Sequence, residues 1–343
     1  MKIKPKSIKD WIRAILIALF LVLFIRSFIF ESFIVKTNKM SETIKKGDYV
    51  FVNKLSYGAR FPITILTFPF AKNIYVDWIK LPYFRVFKFS KIKHNDIIAI
   101  NNPLQFDLPI DKKDIMFSRC IAIPGDTITF TNKNAICSGK NIDKNINSLK
   151  FAYRIVTNGT KINSAELAKL NIYTYKTVYK NTVFDLFATD STAKKIEKFK
   201  NIKQIRKLQD YPQENTTYIF PQSDFFTWNK DNFGPLKIPE KGDTVYLTYK
   251  NIDLYKNIIE NYENNNLEVY NQKIYINNIS TNKYVIKQNY YFVADDNRDN
   301  ANDSRYWGFL PESHIIGKVN FIWFSYDYNN SKIRWNRVFK SVN

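Results

Sequence analysis

Residues Ala14–Ile25 read AILIALFLVLFI, an unbroken apolar run close to the N-terminus. No feature constrains the chain more. As a helix, Trp11 to Phe30 spans about 30 Å, one bilayer core. The preceding MKIKPKSIKDW carries Lys2, Lys4, Lys6 and Lys9 against a single Asp10. A cleaved leader needs small residues after its apolar core, and RSFIFESF is bulky there. The expectation is an uncleaved anchor over 11–30. The basic tail, 1–10, then lies in the cytoplasm and the remaining chain on the outer face of the cell membrane, by the positive-inside rule. The other reading is a buried core helix, since Arg13 and Arg26 flank the run.

Beyond the anchor the pattern is mainly β. DYVFVNKLSYGARF and DIIAINNP carry the aromatic and β-branched residues of strands. FSRCIAIPGDTITFTNKNAICSGK reads as strand, Pro-Gly-Asp turn, strand and a hairpin at TNKNA. Strand signals return near FGPLKIPEKGDTVYLTY; NIDLYKNIIENYENN reads as a short helix and LEVYNQKIYINN as a hairpin. The Lys-rich centre, NSAELAKLNIYTYKTVYKNT and STAKKIEKFKNIKQIRKLQ, has apolar residues at helical spacing. Two sequence regions, 31–140 and 236–343, are therefore expected to build one β domain around an inserted mixed α/β region, 141–235.

A net charge of +21 invites a nucleic-acid reading. The lysines are spread along the whole chain without a nucleic-acid-binding motif, so no nucleic-acid partner is expected. His94 and His314 are the only histidines, and neither has metal-ligand spacing with Cys120 and Cys137. Both read as surface or turn histidines, and no metal or cofactor is expected. A Cys120–Cys137 bridge stays open in an oxidising compartment.

DDNRDNANDSRYWGFLP, from Asp295, is the most specific stretch. It resembles the C-terminal box of the bacterial type I signal peptidases, membrane-anchored serine endopeptidases that remove signal peptides. MSETIKKGDYVFVNKLSYGARFP, SRCIAIPGD, FIWFSYD and IRWNR are similar to other segments of that family, in the same order. The resemblance implies a coiled, mostly antiparallel β domain outside the membrane. Its chemistry joins a serine nucleophile to a lysine base whose pKa is lowered by burial.

At the matching positions the residue types are exchanged. Lys39 precedes Met40 where the family has its serine, and Ser118 precedes Arg119 where the family has its lysine. Asp295 replaces a glycine, Ala301 replaces the serine that bonds the lysine, and Lys36 replaces a proline. Thr37 stands where a hydroxyl helps form the oxyanion hole. Three readings follow: a degenerate site with Asp295 paired to Lys39, an exchanged Lys39/Ser118 dyad, or a Lys39–Ser41 pair on one face of an extended strand. The resemblance also implies an Arg119–Asp296 ion pair and loop-bracing roles for Arg298, Asp303 and Arg305. Expected partners are the lipid bilayer and either exported signal peptides or an intact relative that this chain assists.

Overall fold

The computed structural model describes residues 8–64, 81–214 and 216–342; residues 1–7 of the expected basic tail lie outside them. Helix Ile8–Phe24 continues as a π-type turn, Ile25–Ile29. Together they make one apolar helix, Ile8–Ile29, with mean hydropathy 2.5 and no part buried by the rest of the chain. The core-helix alternative fails on that exposure. The described helix already includes Ile8, Lys9 and Asp10, expected in the basic tail, and Phe30 belongs to the first strand. Glu31 takes Lys54 at 2.7 Å and Arg26 at 3.0 Å, tying the helix end to the sheet.

The principal sheet is antiparallel and nine-stranded. From its edge it runs Phe30–Ile34, Asp48–Asn53, Ile315–Asp327, Ile97–Asn101, Ile115–Ala122, Tyr290–Ala294 and Leu310–Pro311, with Lys332–Ile333 and Lys340–Ser341 added to the long strand. Both faces are covered, and the two-residue period of a strand shows why. Ile97 and Ala99 pack with Val50, Val52 and Val319 on one face. Ile98 and Ile100 pack with Tyr57, Val293 and Trp307 on the other. Register shifts between Tyr49 and Val50, Phe51 and Val52, Ile315 and Gly317, and Phe292 and Val293 put bulges in the sheet. Bulges increase local twist and curl the sheet into a half-barrel. Stacked Phe51 and Phe321, ring centres 5.0 Å apart, face each other across two strands and help fix their register.

Past the Pro-Gly-Asp turn the chain forms the expected hairpin, Thr127–Thr131 with Asn134–Cys137. Its two turn residues, Asn132 and Lys133, hold φ of 50° and 71°. Phe233–Lys237 returns from far along the chain to pair with Thr127–Thr131. The expected helix near 252 is present as Ile252–Asn257 and a π-type turn, and the later hairpin as Leu267–Tyr270 with Lys273–Ile276.

Residues 149–207 gather around a separate apolar cluster that includes Phe151, Tyr153, Ile155, Leu167, Phe184 and Leu186. Four strands carry it, Phe151–Thr157, Lys176–Tyr179, Val183–Ala188 and Ile202–Lys207. Helical spacing holds only for the first part of each Lys-rich stretch, where Ser164–Lys169 and Asp190–Ile196 are capped by Asn163 and Thr189 side chains. The second parts are strands. There Thr177, Val178 and Tyr179, and later Ile202 and Ile205, favour the pleated surface over a helix.

Candidate active site

The site forms where the loop between the first two strands meets the segment after Tyr290–Ala294. The loop is closed by Val35 N–H to Asp48 O at 2.8 Å and Gly47 N–H to Val35 O at 2.9 Å. Gly47 has φ of 89°, and a Cβ there would sit against the Tyr326 carbonyl. Within the loop the chain turns: Thr43 and Ile44 N–H both donate to Met40 O. Lys39 and Ser41 therefore do not share the face of an extended strand, and the premise of a Lys39–Ser41 pair is lost. Ser41 instead lines a polar cavity of about 410 Å³ with Glu42, Lys45, Lys150 and Asn297.

Met40 is the loop's anchor. Its side chain is 2% exposed, packed beside Ile44 and Val50, and its Sδ accepts the Asp296 N–H at 3.1 Å. One residue earlier, Lys39 O accepts the Asn297 N–H at 2.7 Å. The loop backbone at 39–40 is thus pinned to the segment that carries both aspartates. The Lys39 side chain is half-buried. Among the described residues it makes no ion pair within 4.0 Å, so the expected Lys39–Asp295 pair is not formed. It acts on Asp295 only as a more distant charge. Thr37 is exposed, as are Lys36 and Asn38 beside it.

Ser118 lies on strand Ile115–Ala122, opposite Ile98. Its Oγ donates to Asp295 Oδ1 at 2.8 Å, and both residues are 1% exposed. Asp295 also receives the Asn302 N–H at Oδ2, 3.2 Å, and gives its own N–H to Asp303 Oδ2 at 3.0 Å. Burial and then the Asp303 carboxylate push the Asp295 carboxyl up to about 6, with Ser118, Asn302 and Lys39 opposing the rise. Ala301, next to Asn302, is half-buried and contributes no hydroxyl.

Asp296, the next residue, is set the other way. Arg119 grips it with two bonds, Nε to Oδ1 at 2.7 Å and Nη2 to Oδ2 at 2.8 Å. Ser148 Oγ donates to Oδ2 at 2.9 Å, and the Thr43 hydroxyl donates to the same oxygen. Burial alone would raise this carboxyl; Arg119 and then Thr43 more than offset it, and the group lies below the usual range. Arg119 Nη1 also donates to Asn95 O at 3.1 Å.

Arg305 forms a two-bond pair with Asp303, at 3.0 and 2.8 Å, and reaches the Arg298 carbonyl at 2.7 Å. Arg298 pairs with Asp143 at 2.6 Å. Both guanidiniums lie over the Phe130 ring, at 5.7 Å for Arg298 and 5.3 Å for Arg305. Thr43, Ser148, Asp143 and Lys150 were not anticipated. Lys150 bridges backbone-to-backbone with the Asn297 segment, through Asp296 O at 2.8 Å and Arg298 N–H at 2.9 Å. Only Thr43 had a readable signal, since it stands in the same MSET stretch as Met40.

Cys120 and Cys137 are both free and buried, so no bridge joins them. His314 is not a surface histidine. It is 2% exposed, 3.0 Å from Lys113 Nζ, and burial with that charge holds its imidazole well below the usual value.

The sequence model of the family described as Signal peptidase, peptidase S26, matches residues 8–231 and 233–324. The chain is 25% identical to Signal peptidase I of Haemophilus influenzae over 347 residues, 99% of this chain and 78% of that protein. It is 24% identical to Signal peptidase I of Helicobacter pylori, across 97% of this chain and 91% of that one. A shorter match of 43 residues, 12% of this chain and 17% of the other, reaches 54% identity with Signal peptidase I of Aquifex aeolicus.

Proposed function

The chain belongs to the signal peptidase family, peptidase S26, and on that premise we propose that it is a membrane-anchored, catalytically degenerate member that binds exported signal peptides, or assists an intact relative, without cutting them. One observation carries the reading: the Ser118 hydroxyl is bonded to Asp295 in a place where each residue is 1% exposed. Serine-type cleavage needs an accessible nucleophile, a base within hydrogen-bond reach of it, and donors aimed at the oxyanion. Ser118 has an acceptor for its proton but no room for a substrate carbonyl. Lys39 sits on the accessible loop but brings no hydroxyl. Asp295 fills the interior beside Ser118, Ala301 offers no hydroxyl, and among the described residues the Ser118 hydroxyl bonds Asp295 rather than Lys39. The Arg119–Asp296 and Arg305–Asp303 pairs preserve the scaffold and are no evidence for catalysis.

The peptide-binding half of the proposal rests on free backbone. Lys36, Thr37 and Asn38 make no backbone–backbone hydrogen bond among the described residues. Ile115–Phe117 is paired on one side with Ile97–Asn101, while Tyr290–Ala294 pairs only with the far end of that strand, from Arg119 onward. Extended peptides add to such edges as a further strand, and Thr37 would face the added chain. The apolar helix Ile8–Ile29 holds the domain at the bilayer, with the N-terminus cytoplasmic and the β domain on the outer face.

The test is a cleavage and binding assay on the detergent-solubilised full chain with a labelled preprotein. Saturable peptide binding without cleavage is expected, unchanged by Ser118→Ala or Ser41→Ala. Cleavage that Ser118→Ala abolishes would establish the alternative, an active endopeptidase using an exchanged Lys39/Ser118 dyad. Absence of binding would overturn the peptide-binding role.

A further inference from the structure

Away from the peptide site, two turns and a strand end bring a histidine, a carboxylate and a thiol together. His94 lies in the turn before strand Ile97–Asn101, where Asn95 has φ of 68° and gives its N–H to Cys120 O at 2.7 Å. Asp126 ends the Pro-Gly-Asp turn; its Oδ2 accepts the Ile123 N–H at 2.9 Å and its Oδ1 the Ser138 hydroxyl at 3.1 Å. Cys137 closes the hairpin opposite Ile128. His94 Nε2 is 2.7 Å from Asp126 Oδ2 and 3.5 Å from Cys137 Sγ. All three donor atoms lie within 4.8 Å of one another.

We propose that His94, Asp126 and Cys137 form a binding site for a divalent transition metal of the zinc class, with its fourth coordination position open to solvent. The donor set is one thiolate, one imidazole and one carboxylate, which suits zinc and its neighbours and does not suit calcium or magnesium. Zinc bond lengths in a tetrahedral site put neighbouring donors roughly 3.3–3.6 Å apart. The sulfur–nitrogen separation already has this value, and the nitrogen–oxygen separation must open by about half an ångström. The donors are held in advance. Cys137 is 3% exposed and Asp126 is fixed by one bond from its own turn and one from Ser138, while the His94 side chain is 38% exposed and faces solvent. On binding, the thiol proton leaves to solvent as the metal–sulfur bond forms, and the Nε2 proton that faces the Asp126 carboxylate also leaves to solvent while Nδ1 takes one up, so the ring stays neutral. A thiol–imidazole catalytic pair is a poorer reading. Asp126 and Cys137 meet the same ring nitrogen, whereas a catalytic base is oriented through its other nitrogen.

The site is invisible as a motif because its donors are spread from 94 to 137, on two turns and the end of a strand. Its occupation would tie the hairpin end to the turn whose Asn95 carbonyl holds Arg119.

The experiment titrates the full chain, prepared without a polyhistidine tag and fully reduced, with cobalt(II) as a spectroscopic stand-in for zinc. One equivalent should produce a near-ultraviolet thiolate-to-cobalt band that zinc chloride then abolishes. The band should persist in Cys120→Ala and disappear in Cys137→Ser. His94→Ala should weaken binding at least tenfold, since loss of one of three protein donors is at issue. His94 is exposed, so that variant keeps its fold, checked by its thermal midpoint without metal. A wild-type chain with no band, or a band that survives Cys137→Ser, overturns the proposal.

Discussion

Neighbouring aspartates with opposite electrostatics govern the site at the scale of single residues. Asp295 faces a hydroxyl, a backbone N–H and the Asp303 carboxylate, so its carboxyl titrates near 6. Asp296 faces the Arg119 guanidinium and titrates below the usual range. For a carboxyl raised in the folded state, the native protein binds the extra proton between the ordinary value of 3.8 and about 6. Stability from this group is therefore present at the acidic end of that window and lost as pH rises through it. Asp295→Asn keeps an oxygen for Ser118 and abolishes the titration. It should stabilise the protein at pH 7 by on the order of 1–3 kcal/mol, with the advantage fading below about pH 4, in denaturant unfolding across pH. Arg119→Ala should do the reverse, stranding a buried Asp296 charge. A loss of about 3–5 kcal/mol is expected from thermal or denaturant unfolding at neutral pH. Lys39, Ser118, Asp295 and Ala301 could be placed from sequence because each sits at a fixed offset inside a recognisable stretch. Ser148 could not, since its hydrogen bond to Asp296 is made across 148 positions with no spacing to reveal it.

Among elements, the loop from Lys36 to Gly47 decides what the site presents. Its backbone is held at Val35, Lys39, Met40 and Gly47, so a changed side chain at Lys39 alters chemistry without freeing the loop. Gly47 is the vulnerable point. Gly47→Ala places a side chain at φ of 89° against the Tyr326 carbonyl. It should lower stability by more than about 1 kcal/mol and loosen the Lys36–Gly47 loop, visible as faster amide exchange at Asn297. Strands with strict alternation, such as Asp48–Asn53, and turns built on Pro-Gly-Asp were legible because local patterning matches the fold. The Lys-rich stretches, expected to be helical in part, are helical in their first halves, whereas the strand halves are selected by pairing with Val183–Ala188 and Phe151–Thr157. Those pairings are long-range and leave no local mark.

For the whole molecule, the proposal is of a scaffold still braced by its Arg119–Asp296 and Arg305–Asp303 pairs around residues whose chemistry has changed. The curled sheet is buried on both faces by alternate residues of the same strands. The apolar helix is nowhere buried by the rest of the chain and is held at its end by Glu31 and Lys54. The fold class could be read from strand spacing, the anchor and the family resemblance; the separate core of residues 149–207 emerged only with the structure. If the scaffold is intact and only the site chemistry is lost, restoring the family's residue types should restore activity. The direct measurement is preprotein cleavage by the purified wild type and by a variant carrying Lys39→Ser, Ser118→Lys, Asp295→Gly and Ala301→Ser together. The account predicts no cleavage by the wild type and a gain of at least about 10²-fold over that background in the fourfold variant, the contribution of a positioned base. Efficient cleavage by the wild type, abolished by Ser118→Ala, would contradict it.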